Sequence, residues 1–288
     1  MMVKKMMVVV GMVMLVGCSL KSTMKLNPDN DQAASMGVLR AEYDNTGTAG
    51  GNVKIVLPTG EKLTGGYGGP DIIRDCTVSV DQGEIVVVVG PNGAGKSTAM
   101  KALLGMLDLR EGRVLLDGQD ISALSTQQRV AKGMAFVPQN QNVFVTMTVE
   151  ENLEMGAYLR RDDITETMEQ VFELFPVLKT KRRQIAAELS GGQRQQVAVG
   201  RALMTKPTVL MLDEPTSGVS PIVMDELFDR IIEIKRTGIA VLMVEQNARQ
   251  ALNIADRGFV LVTGENRFTD TGEALLANEE VRKSFLGG

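Results

Sequence analysis

The sequence predicts an α/β fold, with a largely parallel sheet at the core, a small antiparallel β part ahead of it and an inserted helical lobe. Two patterns carry that expectation. From residue 83 onward, short β-branched apolar runs alternate with amphipathic stretches, as in chains whose strands are buried on both faces. A glycine-rich turn follows one of these runs and an acidic pair ends another, and open α/β sheets bind ligands at the carboxyl ends of their strands.

The elements follow in chain order. Residues 52–57 and 61–64, on either side of Pro58-Thr59-Gly60, read as a short hairpin. Strands are expected at 83–89, 112–116, 134–137, 208–212, 239–244 and 258–262. Helical patterns cover 98–107, 150–161 and 193–204, with the lobe spanning about 148–204, and 273–285 reads as a closing amphipathic helix. Residues 140–147 follow neither period and read as a mobile loop.

Composition narrows the class. A chain of 288 residues, 44% hydrophobic and 23% charged, can bury a sizeable core in one large or two modest domains. Its net charge of −4 gives no pull toward nucleic acid, and no nucleic-acid partner is expected. The densest basic stretch, Lys179-Thr180-Lys181-Arg182-Arg183, reads as a solvated loop or a partner contact. Cys18 and Cys76 make neither a disulfide framework nor a metal-ligand spacing.

Gly90-Pro91-Asn92-Gly93-Ala94-Gly95-Lys96-Ser97, followed by Thr98, has the form of a phosphate-binding loop. The glycines let backbone N–H groups turn inward around phosphate oxygens, and the following helix points its N-terminus at the anion. Lys96 is expected to pair with the terminal phosphates and the Ser97 hydroxyl to ligate Mg²⁺. The run 209–212 then ends in Asp213 and Glu214. Asp213 is expected to hold Mg²⁺ through its water shell, and Glu214 to polarise the water that attacks the γ-phosphate. Between these motifs, Ser190-Gly191-Gly192-Gln193 reads as a serine-capped helix start, a further anion-attracting terminus.

These three motifs in this order resemble the ATP-binding cassette ATPases. The resemblance covers about 65–288 and implies that ATP is sandwiched between two such domains, with Ser190, Gly191, Gly192 and Gln193 of one reaching the γ-phosphate on the other. It also implies that Tyr67 stacks on adenine, although a tyrosine in a turn is as often a surface or core residue, and that Gln139 contacts Mg²⁺ and links the site to a membrane partner. The chain has no histidine, and Gln246 stands where many cassettes carry one at the γ-phosphate. Glutamine can donate and accept hydrogen bonds there but cannot gain a proton near neutral pH. Ser220 stands where many carry aspartate.

Val244-Glu245-Gln246-Asn247-Ala248, Ala255-Asp256-Arg257-Gly258 and Thr148-Val149-Glu150-Glu151-Asn152-Leu153 resemble the ATPase subunits of branched-chain amino-acid importers. That branch implies integral-membrane permease subunits, a second ATPase subunit (identical or paralogous) and, indirectly, a periplasmic solute-binding protein. The alternatives are a related urea or amide importer, or a non-transport soluble cassette ATPase. No internal repeat is visible, so the second cassette is expected on another chain.

The N-terminus points elsewhere. Met1-Met2-Val3-Lys4-Lys5, the apolar run 6–16 and Leu15-Val16-Gly17-Cys18 resemble a lipoprotein signal, followed by a polar glycine-rich extension over 18–51 and the cassette over 52–288. Export would separate the phosphate-binding loop from cytoplasmic ATP, so the expected location is peripheral, on the cytoplasmic face of the inner membrane. A joined reading frame reconciles the two signals best; a tethering fusion, or a start at Met24 or Met36, are the other accounts.

Overall fold

The structure is a computed structural model, and it describes residues 56–285 except residue 141. The signal-like segment, the 18–51 extension and most of the first arm of the expected hairpin lie outside the described residues.

Two sheets organise the fold. The first is antiparallel, with β1 (Val56–Gly65), β2 (Ile73–Asp81), β4 (Leu109–Leu116) and β5 (Gln119–Asp120) in the order β2-β1-β4-β5. The second contains β3 (Ile85–Val89), β6 (Met134–Val137), β7 (Val209–Asp213), β8 (Ala240–Val244), β9 (Arg257–Val262) and β10 (Glu265–Asp270), in the order β10-β9-β3-β8-β7-β6. Its pairings are parallel from β9 through β6, and β10 closes one edge antiparallel.

Every residue of β3, β7 and β8 is buried, which is why these strands read as unbroken apolar runs. Alternate side chains enter two cores. Val87, Val89, Leu210 and Leu212 pack with lobe residues such as Leu153 and Phe172, whereas Val86, Val88, Val209 and Met211 pack with Met100, Leu103 and the antiparallel sheet.

The hairpin expected around Pro58-Thr59-Gly60 does not form. β1 runs through those residues and pairs with both β2 and β4. Pro58 has no N–H to give a ladder, and the register with β2 shifts between Leu57 and Thr59. Gly60 answers to packing rather than to a turn, because a Cβ there would lie 2.6 Å from Leu63 Cδ1 and 2.7 Å from Leu103 Cδ2. The sequence reading also lacked β2, whose polar Arg74, Thr77 and Ser79 alternate with buried Cys76, Val78 and Val80, the pattern of a half-buried strand.

Helix α1 (Lys96–Leu103) starts earlier than expected and stops short of 107. Gly105 turns the chain at φ 69, and buried Arg129 on α2 (Thr126–Ala131) closes the end, its Nη1 donating to Ala102 O at 3.1 Å and Leu103 O at 2.7 Å. Between β6 and β7 lie α3 (Val149–Gly156), α4 (Thr165–Leu174), α5 (Pro176–Thr180) and α6 (Gly191–Leu203). α3 ends before the expected 161, and its last residue, Gly156, lies so close to α6 that a Cβ would sit 2.0 Å from Arg201 O.

The irregular segment ahead of α3 is pinned by buried Asn152, which accepts from Phe144 N at 2.8 Å and donates to Phe144 O at 2.9 Å. The basic stretch includes the end of α5, and it is tied down by Lys179 to Glu169 and by Arg182 to Glu150. After β7 come α7 (Pro221–Arg236) and α8 (Ala248–Ile254). The closing helix is two helices, α9 (Gly272–Ala277) and α10 (Glu279–Phe285), because Asn278 is extended and its side chain accepts from Val281 N at 3.0 Å, starting a new turn.

Candidate functional site

The carboxyl ends of β3, β7 and β8 meet at one place. β3 runs into the glycine-rich loop, where Gly90, Gly93 and Gly95 have φ of 148, 79 and 94. Only glycine adopts this sequence of turns without strain. Gly90 also lies against β9, where a Cβ would fall 2.2 Å from Leu261 O. The loop wraps a cavity of about 600 Å³ lined by Asn92, Gly93, Ala94, Gly95, Lys96, Ser97 and Thr98, together with Gln139, Glu214 and Gln246. Gly90 and Pro91 frame it, their carbonyls accepting from Lys96 Nζ at 2.9 and 3.2 Å. The buried Lys96 ammonium is thus held over the loop, where incoming phosphate oxygens can replace those carbonyls. Burial lowers its pKa, and the nearby Glu214, Asp213 and Glu245 carboxylates partly offset that shift.

Asp213 and Glu214 leave β7 in different directions. The Asp213 carboxylate is buried and accepts from Ser97 Oγ at 2.8 Å; desolvation raises its pKa, with that hydrogen bond opposing. Glu214 adopts φ 47, a left-handed conformation unfavourable for a residue with a Cβ, and this turns its side chain out of the strand line into the cavity. There its Oε2 accepts from Gln139 Nε2 at 2.7 Å. The same Gln139 amide lies 3.3 Å from Ser217 Oγ. Gln246, just beyond β8, lines the cavity from a third side.

Two expected groups lie outside this cavity. Tyr67 is 58% exposed, has Lys101 Nζ 5.6 Å from its ring centroid and borders a separate hollow of about 410 Å³ with Met106 and Arg110. Ser190 caps α6 as its sequence suggested: it accepts from Gln193 N at 3.2 Å while Gln193 Oε1 accepts from Ser190 N at 3.1 Å. Ser190 and Gly191 are exposed, and none of Ser190, Gly191, Gly192 and Gln193 lines the cavity. Gly192 is buried against α7.

Sequence reasoning missed Glu245. It is 1% exposed, and its carboxylate accepts from Thr216 N, Thr216 Oγ1 and Gln246 N at 3.0, 2.8 and 3.1 Å. Desolvation raises its pKa against those hydrogen bonds. The signal was present, since Glu245 ends a buried apolar strand in the same way that Asp213 and Glu214 do.

A glycine loop holding a lysine between a buried parallel strand and a helix start, opposite an Asp-Glu strand end, defines a P-loop nucleoside triphosphatase. A family model described as ABC transporter matches residues 73–217, and the chain belongs to that family, as one of its ATP-hydrolysing ATP-binding proteins. It is 44% identical over 229 residues, 79% of this chain and 98% of the other, to the high-affinity branched-chain amino acid transport ATP-binding protein BraG of Pseudomonas aeruginosa. It is 39% identical over 228 residues, 78% of this chain and 97% of the other, to the probable branched-chain amino acid transport ATP-binding protein LivF of Archaeoglobus fulgidus. The lipopolysaccharide export system ATP-binding protein LptB of Haemophilus influenzae is 33% identical over 234 residues, 80% of this chain and 96% of the other. Among solved structures, an ATP-binding cassette of an ABC transporter in its ADP conformation superposes with a TM-score of 0.74 at 27% identity, covering 81% of this chain and 99% of that one. The α/β cassette fold expected from the sequence is therefore the fold observed.

Proposed function

We propose that this chain drives import of branched-chain amino acids, with two cassettes closing on ATP and parting after hydrolysis so that a separate membrane permease alternates between inward and outward states. The observation that carries the two-chain reading is that the capped start of α6 is exposed and lies outside the cavity of its own chain. An exposed helix N-terminus that attracts anions but does not reach the phosphate cavity of its own chain suits head-to-tail closure of two copies or of this chain with a paralogue. The 52–288 segment acts as the cassette, with the 148–204 lobe facing the permease; exposed Phe144, Tyr158 and Leu159 offer it apolar surface. A periplasmic solute-binding protein would reach the cassette only through that permease.

In this reading the backbone of 90–98 cradles the phosphates, Lys96 leaves the loop carbonyls for the β- and γ-phosphate oxygens, and Tyr67 packs on adenine. Glu214 orients and polarises the attacking water, and Gln246 holds the γ-phosphate and that water by hydrogen bonds. The donors suit Mg²⁺: a serine hydroxyl already bonded to an aspartate oxygen, with a glutamine amide nearby, and no cluster of three or more acidic, Cys or His ligands among the described residues. Ser97, Asp213 and Gln139 would hold the ion, which would supply neutralisation of the phosphate charge.

Cargo identity rests on the relatives at 44% and 39% identity being named for branched-chain amino acids, against 33% for the lipopolysaccharide exporter. Among the described residues no helix is long and apolar enough to cross a membrane, which suits a peripheral subunit at the cytoplasmic face, where ATP is plentiful. The test is uptake of labelled leucine and urea by cells lacking this chain and complemented with wild type or Lys96→Ala. Leucine uptake restored by wild type alone supports the reading, and restoration of urea but not leucine uptake overturns the cargo.

A further inference from the structure

The carboxyl end of β8 carries a buried acid that no role in nucleotide binding uses. Glu245 N donates to Val88 O on β3 at 3.2 Å, and the preceding carbonyl, Val244 O, accepts from Glu214 N at 2.9 Å. The Glu245 peptide is therefore stitched between the strand that feeds the phosphate loop and the strand end that carries Glu214. Its carboxylate spans the remaining gap, with Oε1 on the N–H and hydroxyl of Thr216, two residues beyond Glu214, and Oε2 on Gln246 N. We propose that Glu245 is a positioning residue for ATP hydrolysis, clamping the Glu214 turn to the Gln246 peptide so that both side chains are set at the γ-phosphate together.

Three features argue for this over a filler role. A carboxylate that is 1% exposed is costly to bury, and an apolar side chain would occupy the same volume without that cost. Its three acceptor contacts end on the two segments that bring Glu214 and Gln246 to the cavity. Glu214 sits at φ 47, and a strained turn at a reacting group persists only where its surroundings over-determine it; Thr216 is the next anchored backbone N–H on that turn. Small displacements matter at such a site, since about 1 Å of misplacement can cost about a hundredfold in rate.

This inference rests on the proposed roles of Glu214 and Gln246, so Glu214→Gln is the control. With full-length protein, ATP turnover, binding of trinitrophenyl-ATP and thermal melting are measured for wild type, Glu245→Gln, Thr216→Val and the double variant. Glu245→Gln keeps an acceptor for Thr216 but turns an N–H donor toward Gln246 N. Its kcat should fall about tenfold or more, with KM and nucleotide affinity within about twofold of wild type, the split expected when only transition-state positioning is lost. Thr216→Val should lose about three- to tenfold in kcat, and the double variant should fall no further than Glu245→Gln, because the two residues form one linkage. A kcat for Glu245→Gln within about twofold of wild type, beside an inactive Glu214→Gln, overturns the clamp and leaves the proposed function standing; an active Glu214→Gln overturns that function instead. Additive losses, or KM rising as kcat falls, mark a packing role and also overturn the clamp. If Glu245→Gln does not fold, Thr216→Val decides alone: unchanged kcat overturns the proposal, and reduced kcat at constant KM supports it.

Discussion

Replacing Gly192 by alanine sets two known magnitudes against each other. Inside a helix, alanine is favoured over glycine by about 1 kcal/mol, so on an open face the change would stabilise α6. Gly192 is not on an open face: the new Cβ would lie 2.2 Å from Val223 Cγ1 and 3.3 Å from both Val223 Cβ and Cγ2. The valine cannot rotate away, because a β-branched side chain in a helix is stiff and its second methyl is already close. Relief therefore requires α6 and α7 to separate by about 1 Å, at an overpacking cost of about 1–3 kcal/mol. The net stability change is small, from nothing to about 2 kcal/mol, while the exposed Ser190-Gly191 terminus that we assign to the partner's γ-phosphate is displaced. Turnover should fall between about ten- and a hundredfold, with the melting temperature lowered by no more than about 8 °C. Val223→Ala removes both methyls and should restore most of the turnover of Gly192→Ala when the two are combined. Steady-state ATPase assays on the four proteins test this. Normal turnover in Gly192→Ala, or no rescue by Val223→Ala, would refute the packing argument.

Further expectations concern stability and reactivity. Arg129→Met removes donors from Ala102 O, Leu103 O, Ser122 O and Leu124 O, and should cost about 2–4 kcal/mol, seen as a drop of about 10 °C in a melting scan. Burial raises the folded-state pKa of Asp213 above its ordinary 3.8, so its ionised form opposes folding at neutral pH and the penalty disappears as pH falls below that value. Asp213→Asn should accordingly melt no lower than wild type at pH 7 while losing hydrolysis, and any stability gain should vanish near pH 3; a gain that persists there would contradict the burial account. Cys76 is fully buried, and desolvation, with Asp75 adding to it, pushes its thiol up to about 12. In a Cys18→Ser background a thiol reagent at pH 8 should label the chain only after denaturant is added.

Much of this fold was legible because its central strands are buried on both faces. Runs such as Val86-Val87-Val88-Val89 leave no other reading, and Gly95, Lys96, Asp213 and Glu214 follow directly from strands of that kind. The antiparallel sheet was less legible: β1 carries a proline and a glycine inside it, and a turn and a bulge look alike until the register with β2 and β4 is known. Helix ends are hard to read where a distant residue closes them, as Arg129 does for α1 by donating to Ala102 O and Leu103 O. Within the site, Gln139 and Gln246 both line the cavity, whereas the part proposed for Glu245 depends on Thr216, a contact across 29 residues that no local pattern shows.

The most direct measurement is the sedimentation of Glu214→Gln with and without Mg-ATP, alongside its turnover. A variant that binds ATP, hydrolyses it at least about a hundredfold more slowly than wild type and sediments as a nucleotide-dependent dimer is the result predicted here. A variant that remains monomeric at saturating nucleotide, or turns over like wild type, would contradict hydrolysis at a site completed by two chains and aligned by Glu214.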